Sequence, residues 1–392
     1  MPFVIYACAL CAFALGLSEF VVIGLAPVMS ADFSASAAQV GQTVTLYALG
    51  VTLGGAFLTA LSAGLSRKHL LVGTLSVFAI AHVAMYLAPT LQVVSFARLI
   101  AGMTHGVFLA VAASTAAQLV DSRKSGGAVA MVFSGLTIAL VAGVPLGAYL
   151  GVQVGWRLVL LAVAVAALIG VALLARSVPY DKPSGQSVSL AAWLKVVTHR
   201  ALLGVVGVTV LTYTAVFTVY TYIAAFLTQV TGMADAWVSI ALLVFGAAAI
   251  AGNLLGGALR DRIGSISASL CVALVLIATL LALTGLSHSA LAMTVIVGAL
   301  GIVAFAAVSV FQSRIIEVAQ AVAPQSGDIA SGLNIAGFNL GIVLGSLGGG
   351  WVIDHLGLSY LGIVAALISA VALAVLLVQR ASAARSAPLE NA

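Results

Sequence analysis

Long apolar runs follow one another down the chain, broken by short polar stretches. Each run holds roughly twenty residues, enough to cross about 30 Å of hydrocarbon as a helix. The pattern predicts spans near 4–29, 41–62, 70–89, 92–119, 127–152, 157–176, 201–228, 237–259, 266–286, 290–312, 328–352 and 358–379. The longest polar stretch, SVPYDKPSGQSVSLAAWLKVVTHR at 177–200, separates the sixth span from the seventh. It ends in an amphipathic piece with Trp193 and Lys195, suited to the membrane surface. The expected architecture is all-α and polytopic, with twelve transmembrane helices in two six-helix bundles. The N-terminal bundle covers 1–176, a cytoplasmic linker 177–200, the C-terminal bundle 201–380 and a cytoplasmic tail 381–392.

Composition excludes a water-soluble fold. The 392 residues are 63% hydrophobic and 6% charged, against about 25% charged in soluble domains. Charge then sets orientation through the bias of basic residues toward the cytoplasm. Alternate loops and the tail carry Arg67, Lys68, Arg123, Lys124, Arg176, Lys182, Lys195, Arg200, Arg260, Arg262, Arg314, Arg380 and Arg385, while the opposite side carries Arg157 alone. Both termini are expected in the cytoplasm, in a bacterial inner membrane. The net charge of +5 follows from this bias and is no argument for nucleic acid. Cys8, Cys11 and Cys271 are odd in number and lie in apolar runs, so they read as small hydrophobes rather than a disulfide or metal set. The N-terminus lacks a basic leader, and its apolar run reads as a retained first span.

The halves echo each other in their loops. TALSAGLSRKHL follows the second span and GALRDRIGSISA the eighth, placing Ala63 opposite Asp261 and Ser66 opposite Gly264. An internal repeat of this kind marks transporters built from two bundles. GALRDRIG, with Gly257, Leu259, Asp261, Arg262 and Gly264, resembles the G-x-L-x-D-R-x-G loop of the major facilitator superfamily. The first copy is degraded and keeps only Arg67 and Lys68. In the intact copy an acid can cap a neighbouring helix and an Arg can pair, with Glu317 as partner for Arg262. Such contacts would latch one conformation; the competing reading is loop solubility. In the fifth span, Gly143, Pro145, Gly147 and Gly151, followed by Gly155-Trp156-Arg157, resemble the antiporter signature of drug/proton exporters. Gly147 and Gly151 clear one helix face for a neighbour, and Pro145 kinks the span. Glu19 in GLSEFVVIGLAP, His105-Gly106, YTYIAAFL and SGLNIAGFNLGIVLGSLGGG are similar to the branch of arabinose and sugar exporters, nucleoside exporters and chloramphenicol-resistance pumps. The resemblance covers essentially the whole chain. It implies alternating access, a small-molecule substrate, protons as coupling partner, no cofactor, and a monomer in the lipid bilayer.

Ionisable groups at membrane depth are costly and usually functional. Glu19 lies in the middle of the first span. Arg98 opens R-x-x-x-G with Gly102 in the fourth span, and His105 falls two turns further along the same face. Counted from the outer helix ends, Glu19 and Arg98 differ in depth by about 5 Å, within reach of an arginine side chain. Glu19, Arg98 and His105 are therefore the expected proton-linked cluster, built on pairing of the Glu19 carboxylate with Arg98. A structural ion pair and a polar packing histidine are the competing readings. His82 reads as packing.

For substrate, the seventh span offers Tyr213, Phe217 and Tyr220 at helical spacing, flanked by Thr214, Thr218 and Thr221. Aromatic faces with hydroxyls suit sugars or aromatic drugs, though an aromatic stripe also packs cores. Asn334 and Asn339 in the eleventh span could bind a polyol or bond between helices, and they point about 140° apart. Gln42 and Thr45 in the second span complete the set. Proton-coupled export is the leading reading, and uptake by symport the alternative. A membrane-embedded enzyme lacks support: no H-E-x-x-H, nucleophile elbow, paired acids, metal spacing or Walker motif occurs. A sensor would need an extra soluble domain.

Overall fold

The computed structural model describes residues 2–58, 65–120, 125–178, 198–322 and 327–386. Ala63, Arg123, Lys124, Lys182, Trp193 and Lys195, with the amphipathic part of the linker, lie outside the described residues. The described chain is helical throughout its apolar runs. Hydrocarbon offers no partner for backbone N–H and C=O groups, so each span closes its own hydrogen bonds.

The helices are α1 (Phe3–Phe33), α2 (Ala37–Leu53), α3 (Arg67–Tyr86), α4 (Leu91–Gln118), α5 (Ser125–Ile138), α6 (Val144–Val154) and α7 (Trp156–Ser177). There follow α8 (Arg200–Tyr220), α9 (Ile223–Gln229), α10 (Asp235–Ile263), α11 (Ser265–Gly285), α12 (Ala290–Val322), α13 (Gly327–His355) and α14 (Leu361–Ser386). Among the described residues, ten continuous segments are long and apolar enough to cross a membrane. An eleventh is a bent pair: α5 passes through a π-helical segment, Ala139–Gly143, into α6, and the axis turns by 50° at Pro145. The expected second span is α2 continued by a π-helical segment, Gly54–Leu58, and the rest of it is not described.

The departures from the expected spans include an interruption and two extended ends. The seventh span breaks at Thr221–Tyr222, between α8 and α9. α12 continues to Val322, ten residues past 312. α14 runs to Ser386, into the stretch expected as tail, because its Ala-rich end holds no Pro or Gly to stop it. Ser36 and Gln39 start α2 with a capping box, at 3.2 and 2.8 Å. At the matching loops, Gly264 turns the chain with φ +77°, open to glycine without strain, whereas Ser66 has φ −66° and caps α3. The degraded first loop thus starts its helix by a side-chain cap in place of a glycine turn.

The helices form two compact units. Unit 1 comprises Met1–Ser189, Tyr222–Thr228 and Ala234–Leu243; unit 2 comprises Leu190–Thr221, Gln229–Met233 and Val244–Ala392. In unit 1, α1 is flanked by α2, α5, α6 and α7, and α4 packs on α2 and α3. One end of it is tied at Asp32, which accepts from Trp156 Nε1 at 3.1 Å and pairs with Arg157. Arg157 also donates to the Ala88 carbonyl at 3.2 Å. In unit 2, α8 packs on α12, α13 and α14, and α11 on α12 and α14.

Candidate functional site

Close backbone approach places the polar groups of unit 1. Where α2 crosses α4, a methyl on Gly50 would run into the Leu99 carbonyl, one on Gly102 into the Tyr47 carbonyl, and one on Gly106 into Val51. Without side chains at these positions the two helices touch, and Tyr47 enters between Arg98 and His105. Gly102 of R-x-x-x-G is thus the seat of Tyr47.

Arg98 is fully buried. Its Nη1 donates to the Ser18 carbonyl at 2.6 Å and to Ser18 Oγ at 3.2 Å, and its Nε to the Thr43 carbonyl at 3.2 Å. Nη2 reaches the backbone carbonyl of Glu19 at 3.5 Å. The Tyr47 ring covers the guanidinium at 4.0 Å. Carbonyl dipoles and a π face therefore satisfy this cation. The expected pairing of Arg98 with the Glu19 carboxylate is not what the structure shows. α1 turns its backbone to Arg98 at Ser18 and Glu19, and the carboxylate of Glu19 stands 4.0 Å from His105 Nδ1.

The same nitrogen lies 2.8 Å from the Tyr47 hydroxyl, which is 3.2 Å from the Leu15 carbonyl. One hydroxyl hydrogen serves one acceptor. If it goes to Leu15, His105 carries its hydrogen on Nδ1; if it goes to Nδ1, the ring carries it on Nε2. His105 Nε2 has no hydrogen-bond partner among the described residues. On the far side of Arg98, His82 Nδ1 faces the Phe78 carbonyl at 2.9 Å and Nε2 faces Ser18 Oγ at 2.8 Å. His82, Ser18, Arg98, Tyr47, His105 and Glu19 make one continuous polar chain across α1 to α4. Ser18, Tyr47 and His82 were not among the expected site residues. A buried tyrosine and histidine in apolar spans were the only signals for them.

Glycines on the fifth span fit α1. Methyls on Gly143, Gly147 and Gly151 would overlap Leu17, Val21 and Leu25, and one on Gly135 the Ala9 backbone. Both series advance by four, so α5 and α6 lie along one stripe of α1, the helix that carries Glu19. Gln42 is exposed, and Thr45 is buried with its hydroxyl 3.4 Å from the Gly41 carbonyl. It is Thr43, between them, that meets Arg98.

Unit 2 holds a ribbon of aromatic rings. Tyr213 lies 4.2 Å from Phe338, Phe338 6.2 Å from Phe217, Phe217 5.7 Å from Tyr220, and Tyr220 stacks on Phe245 at 4.1 Å. Tyr213 donates to the Ala304 carbonyl at 3.0 Å. Thr214 and Thr218 bond back to their own helix. The two asparagines differ. Asn334 Oδ1 accepts from Thr209 at 2.7 Å and its Nδ2 donates to Gln312 at 2.9 Å, which ties α8, α13 and α12 together. Asn339 donates to the Ile335 carbonyl at 3.0 Å, and its buried Oδ1 has no partner among the described residues. The Tyr220 hydroxyl is in the same condition.

Asp261, Arg262 and Glu317, the residues expected to latch one conformation, are exposed on helix ends. Arg260 pairs with Asp261 at 3.0 Å and reaches Glu317 at 3.8 Å. The expected partner Arg262 makes neither contact. Positions i and i+2 on a helix lie about 200° apart, so Arg262 points away from the face on which Arg260 meets α12.

Residues 8–327 match the profile of a family described as the Major Facilitator Superfamily. The chain is 36% identical over 355 residues to the MFS-type transporter YtbD of Bacillus subtilis, covering 90% of this chain and 89% of that one. It is 32% identical over 362 residues to a chloramphenicol resistance protein of Streptomyces lividans, covering 91% and 90%. A bacterial homologue of the human lysosomal transporter Spinster shares the fold, with a TM-score of 0.79 at 17% identity over 96% of each chain.

Proposed function

The chain belongs to the major facilitator superfamily, and from that premise we propose that it exports small organic molecules, such as sugars or drugs, in exchange for protons. It is a multi-pass membrane transporter rather than an enzyme. The observation that carries the proposal is the Glu19 carboxylate 4.0 Å from His105 Nδ1, inside a buried chain whose cation is already satisfied by carbonyls. With its N–H groups on carbonyls, Arg98 acts on Glu19 and His105 through its charge and not through a direct bond to the carboxylate, and the pair can hold one proton between them or none. The Tyr47 O–H keeps its hydrogen and turns its hydrogen bond toward the ring or toward the Leu15 carbonyl as that proton comes and goes. Glu19 and His105 are the coupling groups in this reading, and Arg98 holds α1 in place.

The aromatic ribbon with Tyr213, Phe217 and Tyr220 supplies flat apolar contact in unit 2, and Asn339 Oδ1 supplies an acceptor for a substrate hydroxyl or amide. Asn334 is a tie between helices. The halves 1–176 and 201–380 act as the two bundles of an alternating-access cycle in a bacterial inner membrane, with both termini cytoplasmic. The similarity to a chloramphenicol resistance protein supports the drug half of the substrate range.

The test uses proteoliposomes with an imposed pH gradient and radiolabelled chloramphenicol or arabinose. The intact protein should move substrate against proton flow and stop when a proton ionophore is added. Glu19→Gln should bind substrate but lose substrate-driven proton flux. Unchanged coupling in that variant removes Glu19 from the mechanism.

A further inference from the structure

The hydrogens of the polar chain in unit 1 can be placed from its ends inward. Arg98 can only donate, and the Phe78 carbonyl can only accept. Ser18 and His82 lie between them, and Ser18, His82 and Arg98 are all closed to solvent. His82 Nδ1 stands 2.9 Å from the Phe78 carbonyl, so Nδ1 carries a hydrogen. A neutral ring then has a bare Nε2, and the Ser18 hydroxyl, 2.8 Å away, donates to it. The lone pairs of Ser18 Oγ are left for Arg98 Nη1 at 3.2 Å. Every hydrogen on this side therefore points one way, from Arg98 through Ser18 and His82 to Phe78. No second arrangement satisfies all four groups.

The other side of Arg98 is built differently. The Tyr47 hydroxyl has two acceptors within reach, the Leu15 carbonyl at 3.2 Å and His105 Nδ1 at 2.8 Å. His105 Nε2 meets no partner among the described residues, and the Glu19 carboxylate is 4.0 Å from Nδ1. Hydrogens can rearrange there. At His82 they cannot. A second proton would set Nε2–H against Ser18, place two cations on one oxygen and deprive the hydroxyl hydrogen of its acceptor. Arg98 is the charge that faces His82 across Ser18. The Phe78 ring, 4.2 Å from the imidazole, covers another side without charge.

We propose that His82 is a positioning residue. Held as one neutral tautomer, it fixes the Ser18 hydroxyl and through it Arg98, so the coupled proton moves only on the side of Glu19 and His105. The proposal rests on the reading that Glu19 and His105 carry that proton. The two buried histidines then have opposite duties. His105 changes its hydrogen bonding during the cycle, and His82 keeps the cation between them still.

The experiment has a spectroscopic and a functional arm. Nitrogen NMR of the full-length protein, isotope-labelled at histidine, should show a protonated Nδ1 and a bare Nε2 at His82, with its signals assigned by their loss in His82→Gln. A hydrogen on Nε2, or an imidazolium at neutral pH, overturns the proposal. In proteoliposomes, His82→Leu should lower substrate-driven proton flux about ten-fold, the weight of one buried hydrogen bond, with KM for substrate kept. His82→Gln keeps an acceptor for Ser18 and should restore most of that flux. Ser18→Ala should lower the flux as much as His82→Leu, and the double variant no further than either. Additive losses overturn the proposal, since His82 would then act by a route other than Ser18. A His82→Gln protein as impaired as His82→Leu overturns it too. An intact protein that moves substrate without protons defeats the exchange mechanism and not the positioning, and the tautomer together with the same cycle read in melting temperatures then decides whether His82 fixes Arg98. Should His82→Leu fail to fold, the tautomer in the intact protein decides.

Discussion

At the scale of single residues, the polar chain in unit 1 depends on Tyr47. Its hydroxyl is 2.8 Å from His105 and its ring covers Arg98. Tyr47→Phe keeps the ring and removes the hydroxyl. Stability should fall by about 1–3 kcal/mol, since the Leu15 carbonyl and the His105 nitrogen are left in a dry interior; thermal unfolding in detergent measures it. Proton coupling should weaken in the same variant, whereas Arg98 stays seated. The two asparagines offer a sharper contrast. Asn334→Leu breaks bonds to both Thr209 and Gln312 and should lower the melting temperature by an amount corresponding to roughly 1–3 kcal/mol. Asn339→Leu removes an oxygen with no partner among the described residues and a single bond to the Ile335 carbonyl, so stability should fall less than in Asn334→Leu while KM for substrate rises. A melting temperature that falls equally in both variants would put Asn339 in the fold rather than the substrate site. Glu19, Arg98 and His105 were legible as a set because charge is rare in hydrocarbon and their depths match. Which atoms meet was not legible. Arg98 is held chiefly by the carbonyls of Ser18 and Thr43, and a backbone acceptor leaves no letter in a sequence.

Elements meet here along glycine tracks. The fifth span follows α1 through Gly135, Gly143, Gly147 and Gly151, and α2 meets α4 through Gly50, Gly102 and Gly106. In unit 2, methyls on Gly341 and Gly345 would strike α8, and ones on Gly252 and Gly301 would strike α12 and α10 respectively. The spans that carry these tracks in one half have counterparts in the other, so the internal repeat seen weakly in the loops is also written in the packing. Gly147→Leu should push α6 off Val21 and cost about 1–3 kcal/mol of overpacking. The same substitution should disturb transport by moving the helix that carries Glu19. A Gly147→Leu protein with unchanged melting temperature and unchanged transport would mean that α1 and α6 separate freely. The kink at Pro145 was predictable, because proline removes a donor and crowds the preceding turn. The π-helical segments at Ala139–Gly143 and Gly54–Leu58 were not. They show in no local preference and depend on what each helix packs against.

For the molecule as a whole, the basic residues argue a single orientation. Arg380 is exposed near the end of α14, and His288 is exposed between α11 and α12. In a background lacking Cys271, Arg380→Cys should react with a membrane-impermeant maleimide only in inverted vesicles, and His288→Cys only in right-side-out cells. The opposite pattern would reverse the orientation. The amino-acid sequence by itself determined the solvent, the helical state and the positions of the spans. In hydrocarbon every backbone group must find its partner four residues away, so an apolar run of the right length has one structural answer. It also determined which few side chains could carry charge across that solvent. Tertiary structure alone decided their partners. It gave Arg98 to backbone carbonyls, left the Glu19 carboxylate to His105, joined His82 through Ser18, and turned Glu317 toward Arg260. These choices follow from the rotation and depth of helices distant in the chain, fixed by close backbone contact at glycines, and no local pattern encodes either.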